Sequence, residues 1–305
     1  MTAKRTKVFV ESKADNDGDF AVQDWALFLG ISLIWGASFL LIAESLESLT
    51  PGMVTFLRVS LGAATLWILR MARERGPRIE VEDRARVGVL ALVWVAVPFT
   101  LFPLAQQWVN SAVAGLLNGA TPVLVSLVSL VLVRVAPAGK QLAGLVLGFA
   151  GIVLISLGSA SEGASQAQGV LLILLATGCY GFAFNMAPPL QAKYGAIVLM
   201  SSVLGVASAL VLPYALFNLG GNEWQLSSVL AVAVLGSVGT GFAYWIMSAL
   251  VGRVGSIRSS FITYLIPVFS LILGVWLRSD TVTLLALIGA PLTLLGAFLA
   301  SRRVT

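Results

Sequence analysis

LLNGATPVLVSLVSLVLV, residues 116–133, is the stretch on which the fold turns. It is apolar enough to lie in hydrocarbon, yet it carries Asn118, Thr121 and Pro122. A related shape returns as FITYLIPVFSLILGVWL, residues 261–277, with Thr263, Tyr264 and Pro267. Pro122 and Pro267 are 145 residues apart. Proline inside a helix removes a backbone hydrogen bond and bends the helix. In lipid the freed backbone groups must face protein or a water-filled cavity. Two such helices at a fixed interval therefore point to an interior polar cavity in a membrane protein.

Composition agrees with a lipid environment. The 305 residues are 58% hydrophobic and 11% charged, with mean hydropathy +0.94. Soluble domains carry about a quarter charged residues. The net charge of +5 sits in short loops between apolar runs, so it gives no reason to expect a nucleic-acid partner. Cys179 is the single cysteine, which excludes an intrachain disulfide. Residues 1–24 are polar, contain no apolar signal region and are expected to be a disordered cytoplasmic tail.

A spanning helix needs about 20 apolar residues. Ten runs meet this, at roughly 25–44, 51–70, 86–108, 111–134, 140–158, 167–189, 196–218, 226–249, 254–277 and 281–301. Continuous runs of this length exclude a β-barrel. With ten spans, the basic residues of the tail and of the loops after spans two, four, six and eight share one side with Arg302 and Arg303. Loops 45–50, 109–111, 159–166 and 219–225 have no Lys or Arg, and Arg278 is the exception. The positive-inside rule then puts both termini in the cytoplasm.

A shift of 145 residues lays Trp35-Gly36 on Tyr180-Gly181, Phe39 on Phe184, Pro122 on Pro267, Gly144 on Gly289 and Gly151 on Gly296. The unit holds five spans, so the second copy enters the membrane from the opposite side. That predicts an all-α protein of two inverted repeats, 25–158 and 167–301, around a midplane cavity. Asn118 and Thr263 are expected to line it, with helix–helix hydrogen bonding as the competing arrangement. Trp35 and Tyr180 are candidate wall residues for which buried packing is equally open. Ser38, Thr121, Asn185 and Tyr264 join the candidate lining. Ser237, Thr240, Gly241 and Tyr244 share one helical face and form a third wall, while Pro122 and Pro267 supply the kinks. Gln106 and Gln107 are read as a solvated helix end or a gate. Gly144, Gly148 and Gly151 predict close helix packing, inside the protomer or in a possible homodimer.

These residues also carry a family resemblance. IWGASF (34–39), VPFTLFPLAQQWVNSAVAGLLNGATPVL (97–124) and GSIRSSFITYLIPVFSLILGVWL (255–277) resemble the EamA family of the drug/metabolite transporter superfamily. The resemblance runs from about residue 25 to 301. It implies a ten-helix inverted-repeat transporter, exporting amino acids or small metabolites across a bacterial cytoplasmic (inner) membrane. Spans one to four and six to nine would form the cavity, with five and ten peripheral. Members often carry a glutamate just after spans four and nine; here those places read Val135 and Asp280, and no essential role is assigned to them.

Arg58 is the cation deepest inside a span, about 10 Å below the outer end of span two. A charge at that depth is expensive and marks function or pairing. Its long side chain can reach toward the end of span one, so Glu44 or Glu47 is its expected partner, with a substrate carboxylate as the alternative. The chain has no histidine, no acid near the centre of a span and no Walker motif. An intramembrane enzyme lacks a base or metal ligands, and neither catalytic residues, metal nor cofactor is expected. A channel or receptor-like module is the other competing class, and paired midplane kinks favour alternating access over it. Few charges and several aromatic and amide groups point to zwitterions or neutral metabolites.

The side assignment is testable. In a Cys179→Ala background, cysteines placed at Ser48 and Ser161 should react with an impermeant reagent from outside, and one at Arg78 only from inside. Labelling of Ser48 and Ser161 from opposite faces would overturn both the span count and the inverted repeat.

Overall fold

A computed structural model describes residues 21–73, 76–133, 139–160 and 164–301. Residues 1–20 of the tail, Arg75, Arg134, Val135, part of loop 159–166, Arg302 and Arg303 lie outside the described residues. All regular structure among the described residues is helical. In hydrocarbon a helix satisfies its own backbone, and long runs of Leu, Val, Ala and Ile leave no polar alternative.

The helices are α1 (Val22–Ser45), α2 (Pro51–Arg73), α3 (Arg84–Leu90), α4 (Val97–Ala105), α5 (Ser111–Asn118), α6 (Thr121–Val133), α7 (Lys140–Ala160), α8 (Ala164–Tyr194), α9 (Ala196–Phe217), α10 (Leu226–Gly236), α11 (Ala243–Ser260), α12 (Ile262–Arg278) and α13 (Leu284–Ser301). A π-helical turn, Ala91–Ala96, joins α3 to α4, and another, Ser237–Phe242, joins α10 to α11. Among the described residues nine helical stretches are long and apolar enough to cross a membrane, and Leu284–Leu299 is a shorter apolar helix. The protein is thus an all-α, multi-spanning membrane protein.

Local chemistry sets the ends. Pro51 opens α2, where its missing N–H would have had no partner in any case. Asn110 caps α5 by accepting the Val113 N–H at 2.9 Å. Gly195, at φ 81°, and Gly255, at φ 83°, turn the chain between spans where a side chain would be strained.

Around the centre, α1 packs on α12, α6 on α8, α2 on α9 and α4 on α8. To one side, α7 and α13 pack along their length. Their contact is backbone to backbone: a Cβ on Gly296 would sit 2.1 Å from the Gly148 nitrogen, and one on Gly151 2.6 Å from the Gly289 oxygen. Gly148 and Gly151 thus serve packing within the protomer. The opposite face of α7 exposes Leu142, Val146, Phe149, Val153 and Leu157, spaced three or four apart as a lipid-facing stripe.

One of the two expected proline kinks departs from expectation. The first break precedes Pro122: α5 ends at Asn118, Gly119 and Ala120 form a turn, and Pro122 lies in the first turn of α6. Pro267 does lie inside a helix, six residues into α12, and is buried.

Gly296→Leu should therefore separate α7 from α13 and cost about 1–3 kcal/mol or more through overpacking. Gly205, with open space where a Cβ would go, should accept Leu with little change. Thermal melts of the two purified variants in detergent check the contrast.

Candidate functional site

A cavity lies where α1, α2, α4, α5, α6, α8, α11 and α12 converge. It encloses about 690 Å³ counting its open mouth. Its wall is a belt of touching rings. Phe39 meets Phe102 at 5.5 Å, Phe102 stacks on Tyr180 at 6.2 Å, and Tyr180 stacks on Phe184 at 5.9 Å. Phe184 meets Trp94 at 5.6 Å, Trp94 meets Tyr244 at 6.4 Å, and Tyr244 meets Trp35 at 5.8 Å. Such pairs add stability beyond the area they bury and hold the wall rigid.

The polar lining is Arg58, Ser38, Asn118, Thr121 and Thr263, with Tyr180 and Tyr244. Ser38 and Thr121 spend their hydroxyls on backbone carbonyls, of Ile34 and Asn118 respectively. The structure thus brings seven predicted residues together: Trp35, Ser38, Asn118, Thr121, Tyr180, Tyr244 and Thr263.

Three others lie elsewhere. Asn185 donates to the carbonyls of Gly181 and Val125, tying α8 to α6. Thr240 is buried against Gly62 of α2 and donates to the Leu235 carbonyl. Tyr264 packs between Phe261 and Phe298, toward α13. The π turn explains why Thr240 and Tyr244 diverge: its wider pitch breaks the 3.6-residue spacing that put them on one face. Trp94, Phe99, Phe102 and Phe184 complete the wall and were missed because aromatic residues in an apolar run carry no pattern of their own.

Arg58 requires a correction. It does not pair with Glu44 or Glu47. Arg278 binds both carboxylates, at 3.0 and 2.5 Å. Arg58 instead lines the cavity, 7% exposed. Its Nε donates to the Thr240 hydroxyl at 3.3 Å, and its guanidinium carbon lies 3.8 Å from the centre of the Phe99 ring. α1 meets α12 along its length, so Arg278 at the end of α12 is nearer those acids than a residue two turns down α2.

Loops 45–50, 106–110, 219–225 and 279–283 gather at one end around a second, polar hollow. Gln106 borders it, with its amide atoms buried and without a hydrogen-bond partner among the described residues. Ile42 lines the central cavity and Ala43 the polar hollow, so the two follow one another along α1. Asp280 is structural: its carboxylate accepts from the Ser111 hydroxyl and from the Ala112 N–H at 2.9 Å, holding the start of α5. At the other end, Asp83 accepts from Lys193 at 2.8 Å and Tyr194 at 2.7 Å, and Asp24 pairs with Arg253.

Known proteins share this plan. Residues 25–157 and 167–302 each match the EamA-like transporter family. An uncharacterized transporter of Archaeoglobus fulgidus is 26% identical over 285 residues, 92% of this chain and 100% of its own. The uncharacterized transporter YoaV of Bacillus subtilis is 23% identical over 89% of this chain and 94% of its own. A crystal structure 22% identical to this chain superposes over 92% of it and 99% of its own length, with a TM-score of 0.62.

Asp280→Ala should leave the Ser111 hydroxyl and the Ala112 N–H without an acceptor. The expected loss is about 1–2 kcal/mol, as for a removed helix cap, read as a lower unfolding midpoint with the oligomeric profile unchanged.

Proposed function

Because the chain belongs to the EamA-like transporter family, we propose that it exports amino acids or related small metabolites across a bacterial cytoplasmic membrane by alternating access. The chain is a secondary transporter of small solutes and not an enzyme.

The observation that carries the mechanism is the mirrored wall. Trp35 and Tyr180, Phe39 and Phe184, Phe99 and Tyr244, and Asn118 and Thr263 all line the cavity, and each pair is 145 residues apart. The π turns at Ala91–Ala96 and Ser237–Phe242 keep nearly the same interval. So does the packing: Gly36 abuts Phe269 of α12, and Gly181 abuts Leu124 and Val128 of α6. This supports two five-span repeats of opposite orientation, with Leu284–Leu299 as the tenth span. Inverted repeats can exchange conformations, so that the same site faces either side.

Separable polar clasps at the two ends fit that exchange. Glu44 and Glu47 with Arg278 tie α1 to α12 at one end. At the other end Asp83 with Lys193 and Tyr194 ties the start of α3 to α8, and Asp24 with Arg253 ties α1 to α11. The basic loops support a cytoplasmic side for the second end, in keeping with cytoplasmic termini.

Purified protein in liposomes should show saturable counterflow of a small amino or organic acid. Asn118→Leu and Thr263→Leu should each lower it about tenfold, the worth of one lost polar contact, with insertion unchanged. Flux that does not saturate would make the protein a channel, and full activity of both variants would make those side chains packing groups.

A further inference from the structure

Arg58 is the one charged side chain on the cavity wall among the described residues. The position 145 residues later is Val203, fully buried in an apolar cluster between α8, α9 and the Ala91–Ala96 turn. A cation at one site and valine at its counterpart mark Arg58 as a departure from the mirrored wall.

The contacts of Arg58 leave most of its bonding capacity unspent. A guanidinium carries five N–H donors and stays protonated in proteins. Here Nε reaches Thr240, the ring of Phe99 lies against the guanidinium face, and no ion pair is made among the described residues. The terminal nitrogens have no protein acceptor among those residues. A desolvated cation of this kind is stabilised by an anion, and the planar fork matches a carboxylate edge to edge.

Resting on the transporter reading above, we infer that Arg58 binds the carboxylate of the transported solute, and that the solutes are small organic monocarboxylates with a flat or branched apolar body. The aromatic belt receives the body, since Phe184, Trp94 and Tyr244 offer ring faces and edges and few polar atoms. The phenols of Tyr180 and Tyr244 share the cavity with Arg58 and have no protein hydrogen-bond partner among the described residues, so they are free to donate to the second carboxylate oxygen. No acid lines the cavity among the described residues, so an ammonium group finds no counter-charge. A dianion finds only one cation. The recognised feature is therefore the carboxylate, and an α-amino group adds nothing to binding.

The test uses the purified full chain and one apolar body with four head groups: phenylacetate, phenylacetamide, phenethylamine and phenylalanine. Binding is measured by titration calorimetry at neutral pH, and flux by counterflow in proteoliposomes. Phenylacetate should bind about 10- to 100-fold more tightly than phenylacetamide, the range for a charged hydrogen-bonded pair. Phenethylamine should not bind, and phenylalanine should bind no more tightly than phenylacetate. Arg58→Gln should erase the preference for acid over amide while leaving amide affinity within about twofold. Arg58→Lys keeps the charge without the fork and should fall between the two. The wild-type series decides the matter by itself if the glutamine variant does not fold. Equal binding of acid and amide, tighter binding of phenylalanine, binding of none of the four, or an unchanged preference in Arg58→Gln would overturn the assignment. Saturable counterflow of other solutes alongside any of those results would leave the transporter reading standing. Selective phenylacetate binding with no saturable flux of any solute would do the reverse.

Discussion

Hydrocarbon offers a peptide group nothing to bond with, so each interruption of a helix has to be repaired from inside the protein. The rest of this architecture follows from where those interruptions fall and what repairs them. Pro103 cannot donate to the Phe99 carbonyl, and the Thr55 hydroxyl of α2, shared with the Pro51 carbonyl at 2.8 Å, reaches it at 3.0 Å. Pro122 cannot donate to the Asn118 carbonyl, and the Thr121 hydroxyl beside it does, at 2.7 Å. In the second π turn the Leu235 carbonyl is met by the Thr240 hydroxyl at 3.1 Å. Apart from these repairs, Ser270 of α12 donates to the Ser111 carbonyl of α5 at 3.1 Å across the helix contact. The repairs at Phe99 and Asn118 border the central cavity, so there the polar groups that look out of place in apolar runs are first of all what allow the runs to be broken.

That dual role explains how far the sequence could be read. Runs of about 20 apolar residues, a repeated proline and basic loops are properties of the chain taken linearly. They give the membrane class and the rough span limits, and they single out Asn118, Thr121 and Thr263, which line the cavity. Choices between adjacent residues depend on helix phase, which apolar runs barely encode. Thr263 and Tyr264 are neighbours, and only Thr263 faces the cavity while Tyr264 turns to Phe298. A π turn leaves no signature in composition, yet it separates Tyr244, on the wall, from Thr240, wedged against α2.

Partner choice was the least legible property of all. Arg58 and Arg278 are both cations near acids when the chain is drawn as a row of spans. Which one reaches Glu44 and Glu47 depends on α1 lying against α12. Glycine sets that contact: a Cβ on Gly36 would sit 2.6 Å from Phe269. Close approach brings Arg278 to the acids and leaves Arg58 to the cavity.

The charge distribution has an energetic logic. Described ion pairs stand at the ends of the helices, where water and headgroups lower the cost of charge and make the pairs weak enough to separate. Arg58 stands alone at depth, where its desolvation is offset in part by Thr240 and by the electron-rich face of Phe99. That cost is borne during folding, before any solute arrives. An arriving anion on the proposed assignment then loses its own hydration and freedom, but the cation is already largely desolvated and aimed. A carrier must also release what it binds. One cation set in an aromatic wall holds an anion without the full cage of donors that would trap it, and a rearrangement that admits water weakens the attraction at once.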